Sequence, residues 1–92
     1  MQPSNKLTSL RKKVENVDKK IIKLLIERFR LTQQIQDIKR ESGLPLLQKK
    51  REQTLLKSHL LLAKQHSLDR SLVKEIFSLV FSYAKKTGII KR

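Results

Sequence analysis

The sequence predicts an all-α protein with three helices, one long and two shorter. Apolar residues recur at alternating spacings of three and four over residues 7–41, and no Gly or Pro interrupts them, which predicts one continuous helix. Such a helix is roughly 52 Å long. A compact chain of this size has a radius of gyration of only roughly 12 Å. At 92 residues the chain is predicted to form one domain, residues 1–92. The long helix would project beyond such a domain and expose its apolar side chains to water, so we expect the chain to self-associate.

The long helix carries a heptad seam with one charged interruption. The seam consists of Leu7, Leu10, Val14, Val17, Ile21, Leu24, Leu31, Ile35 and Ile38. Arg28 stands where the pattern requires an apolar residue. Burying a guanidinium is unfavourable unless an anion meets it, and that anion would be a ligand. Alternatively, Arg28 reaches solvent at a dimer edge, or it pairs with Glu27 or Asp18.

Turn residues indicate where this helix begins and ends. Residues 1–6 form a polar lead-in, and Ser4 or Thr8 is the predicted N-cap. Gly43 is the predicted C′ residue, with Pro45 behind it.

Two further helices follow. The second is predicted over residues 47–65, with apolar side chains along one side. Asp69 is the predicted N-cap of the third helix, which fades near Thr87 and stops at Gly88.

The charge balance favours anionic partners. Lys and Arg number 22 against 8 Asp and Glu, a formal net charge of +14, which suits polyanions or small carboxylates and phosphates. The few aromatic residues stand apart from the basic clusters, so nucleic acid is an unlikely partner. His59 and His66 lack metal-ligand spacing and are interpreted as ordinary surface or loop residues. The absence of Cys and of a long apolar run predicts a cytoplasmic chain without a membrane span.

Three cations on the long helix are spaced to meet a small anion. Arg28 and Lys39 are eleven residues apart, so they share a face about 16 Å apart along the axis. Arg11 lies seventeen residues before Arg28, about 25 Å away. Arg11 can approach the same ligand only from a second chain in an antiparallel dimer.

Polar residues also cluster at the predicted start of the second helix. Gln48 and Glu52 are an i, i+4 pair on one face, with Arg51 beside them. Taken singly, each of these residues is more often a surface residue than part of a site.

The combined pattern resembles the all-helical chorismate mutase family (the AroQ type). Lys39, then Gly43-Leu44-Pro45 after three residues, then Arg51-Glu52 after five more, follows that family's hallmark. Further shared positions are Leu10-Arg11, Val17-Asp18, Leu24-Leu25 with Glu27-Arg28, His66-Ser67-Leu68-Asp69 and Ile76-Phe77. The resemblance covers about residues 7–86 without an insertion.

The resemblance implies an intertwined helical homodimer with two active sites. Similar proteins rearrange chorismate to prephenate with no cofactor, no metal and no covalent intermediate. By the resemblance, Arg28 and Arg11 of the other chain would bind the two carboxylates of this small dianion.

The remaining roles follow from the same resemblance. Lys39 would reach a carboxylate and the ether oxygen, where negative charge develops. Glu52 and Gln48 would bind the ring hydroxyl, and Arg51 would shape the pocket.

Two positions depart from the family pattern. The family's last helix usually offers a small hydroxyl residue and, one turn later, a Gln or Glu that donates to the ether oxygen. Ala84 and Gly88 occupy these positions here. The enzyme is then slow, uses Thr87 or Lys86 through a shifted helix end, or has lost catalysis while keeping the anion pocket.

Three functional hypotheses remain. The favoured one is a free-standing chorismate mutase that serves phenylalanine and tyrosine biosynthesis. The second is elimination of pyruvate from isochorismate in the same pocket. The third is a non-catalytic, mutase-like binding or scaffolding dimer.

Overall fold

The computed structural model describes residues 3–45, 49–86 and 88–90. Its helices are α1 (Pro3–Ser42), α2 (Lys49–Gln65) and α3 (Arg70–Ala84). The described residues contain no strand, so the all-α prediction and the order of one long and two shorter helices are confirmed. None of the helices in these ranges is long and apolar enough to cross a membrane.

The start of α1 differs from the prediction. The helix begins at Pro3, because proline has a helical φ and lacks an N–H that the first turn would leave unpaired. The polar lead-in is therefore helical from residue 3 onwards. Neither Ser4 nor Thr8 caps the helix: the Thr8 hydroxyl donates to the Ser4 carbonyl at 2.9 Å, inside α1.

The end of α1 agrees with the sequence. Gly43 has φ +69°, a left-handed conformation that glycine adopts without a steric penalty. The Leu44 N–H donates to the Lys39 carbonyl at 2.8 Å, and the Gly43 N–H donates to the Arg40 carbonyl at 3.4 Å. These two bonds form a Schellman motif, so the predicted C′ role of Gly43 is confirmed.

The turn between α2 and α3 has the same left-handed residue and the same type of hydrogen bond, but without glycine. Ser67 has φ +57°, and the Leu68 N–H donates to the Ala63 carbonyl at 2.8 Å. Asp69 then caps α3 by accepting from the Ser71 N–H at 2.8 Å, which confirms the predicted N-cap. The predicted start of α2 at residue 47 lies outside the described residues.

The third helix ends earlier than predicted. Its last helical residue is Ala84 and its C-cap is Lys85. The Lys86 N–H donates to the Tyr83 carbonyl at 3.0 Å, an i to i−3 bond of the kind that tightens a last helical turn. Gly88, at φ +71°, lies beyond this end and does not stop the helix itself.

The small core lies around α3, which packs against both α2 and α1. Val73, Val80 and Phe81 of α3 are buried together with Ala63 of α2. Phe77 is half-buried, and its ring centroid lies 6.0 Å from that of Phe81. The core thus holds the three helices at the C-terminal half of α1.

The isolated chain leaves a large apolar surface uncovered. It extends 62 × 35 × 14 Å with a radius of gyration of 17.4 Å. Its accessible surface of 8195 Å² exceeds the roughly 5,500 Å² expected for a compact chain of this mass. Between 48% and 62% of each predicted seam residue is exposed: Leu7, Leu10, Val14, Val17, Ile21, Leu24, Leu31, Ile35 and Ile38. An apolar strip of this length marks an association surface.

Candidate active site

A groove of about 280 Å³ lies between the C-terminal half of α1, the start of α2 and the end of α3. Its lining consists of Arg28, Leu31, Thr32, Ile35, Gln36, Lys39, Arg51, Glu52, Leu55, Phe81, Ala84 and Lys85. The structure therefore brings Arg28, Lys39, Arg51 and Glu52 together, although they come from two helices. Four cations and one carboxylate in the described lining give the groove a net positive charge.

The contribution of α1 is a polar stripe. Arg28, Thr32, Gln36 and Lys39 lie at i, i+4, i+8 and i+11, so they share one face of the helix. All four are half-buried. Sequence reasoning missed Thr32 and Gln36, although their spacing between the two predicted cations was a usable signal.

Arg28 packs into the groove with an unsatisfied donor. Its guanidinium carbon lies 5.5 Å from the centroid of the Phe81 ring. Its buried Nη1 has no hydrogen-bond partner among the described residues, so that atom pairs with neither Glu27 nor Asp18. Burial lowers the pKa of Arg28 from its ordinary value, although a guanidinium stays charged at neutral pH. An anion that accepts from Nη1 would remove a penalty of about 1–3 kcal/mol.

Glu52 and Lys85 form an ion pair across the groove. Lys85 Nζ lies 2.8 Å from Glu52 Oε1, with 41% and 28% of the two side chains exposed. The bond joins the first turn of α2 to the C-cap of α3, whereas the Lys12–Glu15 pair lies within α1. The sequence analysis gave Lys85 no role in the site, because nothing in the periodicity links positions 52 and 85.

Two predicted site residues are not in this groove. Arg11 is exposed on the N-terminal half of α1, about 25 Å along the helix from Arg28. One chain therefore cannot bring these two cations to the same small ligand. Gln48 lies outside the described residues.

The end of α3 shows which substitutes for the missing donor are available. Ala84 lines the groove but carries no donor. Gly88 and Lys86 line a neighbouring cavity instead, and the Lys86 ammonium lies 4.1 Å from the centroid of the Tyr83 ring. Thr87, the other suggested substitute, lies outside the described residues.

His59 is not the ordinary surface or loop residue that the sequence suggested. It is half-buried within α2, and its ring centroid lies 4.3 Å from that of Phe77. Burial lowers the pKa of His59, and the charge of Arg28 lowers it further. The described residues contain no group of three His, Cys, Asp or Glu side chains that could hold a metal ion.

The fold and the groove define a class: an all-helical protein with a cation-lined groove between three helices. The sequence matches the family chorismate mutase type II over residues 10–88. The chain therefore belongs to the chorismate mutase type II family, an enzyme family of isomerases in aromatic biosynthesis.

Individual relatives agree with this assignment. Over 80 residues the chain is 32% identical to the chorismate mutase of Methanocaldococcus jannaschii, covering 87% of this chain and 81% of that protein. It is 38% identical to the bifunctional chorismate mutase/prephenate dehydratase of Enterobacter agglomerans, covering 87% of this chain. The bifunctional enzyme of Escherichia coli is 34% identical. The chain spans only 21% of the length of each of these two bifunctional relatives.

Replacing Arg28 with Met should not destabilise the free protein. The apolar stem keeps its packing on Phe81, while the unsatisfied Nη1 donor is removed. Relief of about 1–3 kcal/mol outweighs a lost cation–π contact worth about 0.5–1 kcal/mol, so the free energy of unfolding should rise by about 1 kcal/mol. Urea denaturation measures it, with Arg40→Met on an exposed part of α1 as the control. A clear loss of stability specific to Arg28→Met would show that the guanidinium is satisfied without a ligand.

His59 should make the stability of the protein depend on pH. Its pKa is lower in the folded chain, so the unfolded chain binds more protons and stability falls as the pH drops below the unfolded value of about 6.5. Thermal unfolding should show a larger loss between pH 7 and pH 5 in the wild type than in His59→Leu. His66→Leu, which removes an exposed histidine, should keep the wild-type slope. Equal slopes in all three proteins would contradict this interpretation.

Proposed function

We propose that the chain converts chorismate to prephenate in the groove, as a homodimer in which Arg11 of the second copy completes each site. The observation that carries the proposal is the convergence of Arg28, Lys39 and Glu52 in one groove, in a chain of the chorismate mutase type II family. A dianion can bind there through the cations that line the groove. The groove has the charge for this task.

The reaction explains why a groove of fixed charges suffices. Chorismate rearranges within one molecule: a carbon–oxygen bond breaks as a carbon–carbon bond forms, and no proton or electron is exchanged with the protein. The enzyme must hold the dianion in its compact, reactive conformer and stabilise the charge that grows on the ether oxygen. Neither task requires a nucleophile or a general base.

Each groove residue has a role that suits its surroundings. Arg28 would bind one carboxylate, since its buried Nη1 has a donor to offer. The half-buried Lys39 would bind a carboxylate and the ether oxygen. Glu52 would accept from the ring hydroxyl, together with Gln48, and Arg51 would close the wall of the groove.

The homodimer is supported by the surface that one chain leaves open. The excess of roughly 2,600 Å² per chain over a compact monomer amounts to roughly 5,200 Å² for two chains, at the upper end of the range buried by obligate homodimers. The exposed seam continues through the N-terminal half of α1, where Arg11 lies. An antiparallel partner on that seam would bring its own Arg11 towards this groove. The cytoplasmic location stays a prediction from the sequence.

The first test is to identify the products. Purified protein incubated with chorismate should yield prephenate, and the same protein incubated with isochorismate should release no pyruvate above the enzyme-free blank. Chromatography with mass spectrometry distinguishes the two outcomes. Pyruvate from isochorismate, with chorismate left unchanged, would replace the proposed reaction with the lyase hypothesis.

A subunit-mixing experiment tests the shared site. Arg11→Ala and Lys39→Ala should each lower turnover of chorismate by about 10²-fold or more, because each removes a preorganised cation. Co-expression should restore roughly a quarter of wild-type turnover. Half of the randomly formed dimers are mixed, and each mixed dimer has one intact site.

The outcome separates the two possible architectures. If each site lay within one chain, every site would carry a mutation and co-expression would restore nothing. Sedimentation of the wild type should show a dimer at micromolar concentration, and a folded monomer would contradict the shared site directly.

A further inference from the structure

The wall that α3 contributes to the groove contains one polar side chain in its described part. That wall consists of Phe81, Ala84 and Lys85. Phe81 packs beneath Arg28, and Ala84 has no hydrogen-bonding group on its side chain. Any donor that this described wall offers to a bound anion is therefore the Lys85 ammonium.

We propose that Lys85 is a catalytic residue whose ammonium donates to Glu52 and to the ether oxygen of bound chorismate at the same time. This inference rests on the proposed function, since it names a further group for that reaction. It assigns to Lys85 the stabilisation of the oxygen on which negative charge grows.

The chemistry of the ammonium group permits both contacts. A lysine ammonium has three N–H donors, and the 2.8 Å bond to Glu52 Oε1 uses one of them. Two donors remain for a ligand in the groove. Because the Glu52 bond already restrains the flexible lysine side chain, less rotational freedom is lost when the substrate binds.

The backbone of the last turn also fixes the position from which the Lys85 side chain extends. It is the C-cap of α3, with φ −85° and ψ −13°. The Lys86 N–H bonds back to the Tyr83 carbonyl at 3.0 Å, which closes the last turn around Lys85. A donor attached to a closed turn next to the core is preorganised for charge that develops in the transition state.

Charge balance gives Lys85 a second effect. Glu52 places a carboxylate in a groove that must accept a dianion, and like charges oppose such binding. The Lys85 ammonium compensates that carboxylate at direct contact. Glu52 can then accept from a hydroxyl without repelling the substrate.

The test compares the effect on kcat of Lys→Met substitutions at the end and in the middle of α3. Lys85→Met should lower kcat for chorismate by about 10²-fold with a smaller change in KM, because the contact strengthens as charge develops. Lys85→Arg should retain kcat within about 10-fold, since it keeps the charge and the donors. Lys74→Met, an exposed change on the same helix, should match the wild type. Lys86→Met should also match it, since that ammonium faces Tyr83.

Repeating Lys85→Met in a Glu52→Gln protein distinguishes a Lys85 that contacts the substrate from one that only holds Glu52 in place. If Lys85 touches the substrate, Lys85→Met should still lower kcat by about 10-fold or more in a Glu52→Gln protein. A Lys85 that only holds Glu52 in place would have no further effect there. Circular dichroism and sedimentation confirm that each variant is folded, and Lys85→Ala replaces Lys85→Met if the latter fails to fold.

The contrary outcomes are distinct. An active wild type with unchanged kcat in Lys85→Met overturns the role of Lys85 and leaves the proposed function standing. A Lys85→Met effect that vanishes in the Glu52→Gln background does the same, as does a loss found in Lys86→Met instead. A wild type that does not convert chorismate at all overturns both.

Discussion

The length of α1 is the constraint on which the rest of the structure depends. Forty helical residues cannot be covered by α2 and α3, which are 17 and 15 residues long. Of these two helices, α3 packs against α1, in the C-terminal half of α1 where the groove lies. The N-terminal half keeps its apolar seam exposed and carries Arg11. The N-terminal half of α1, whose exposed seam favours a second copy, therefore also carries Arg11, the cation that one chain cannot bring to its own groove.

The charge of Arg28 has opposite effects on folding and on ligand binding in the groove. A half-buried Arg28 with an unsatisfied donor opposes folding, and the pKa of its neighbour His59 is lowered in turn. The protein tolerates this because Phe81 supplies packing and a ring face for the guanidinium. A bound dianion would satisfy the donor and neutralise the charge that Arg28 presents to His59. Arg28, whose unsatisfied donor opposes folding of the free chain, is thus a residue that a bound ligand would stabilise.

Sequence reasoning succeeded where one local pattern determines the outcome. The continuous apolar period gave α1, Gly43 gave its end, and Asp69 gave the start of α3. The shared face of Arg28 and Lys39 followed from helix geometry alone. It failed at two helix ends, where Thr8 bonds to the Ser4 carbonyl within the helix instead of capping it and α3 closes at Ala84 instead of continuing. It also failed where tertiary packing decides. The pairing of Glu52 with Lys85 and the contact of His59 with Phe77 join different helices, and no spacing within one helix reveals such contacts.

The end of α3 also limits which residues can replace the missing donor. A Gln at position 88 would be the obvious repair by analogy with the family, but Gly88 has φ +71°. A Cβ added there would meet no heavy atom within 4 Å beyond its chain neighbours, so the obstacle at the Cβ is backbone strain and not lack of space. Position 88 also lines the cavity beside Lys86 instead of the groove. Because the helix has already closed at Ala84, a donor that α3 offers to the groove must come from its final turn or its cap. Lys85 is the described residue there that lines the groove and carries a side-chain donor, and its bond to Glu52 connects it with the rest of the site.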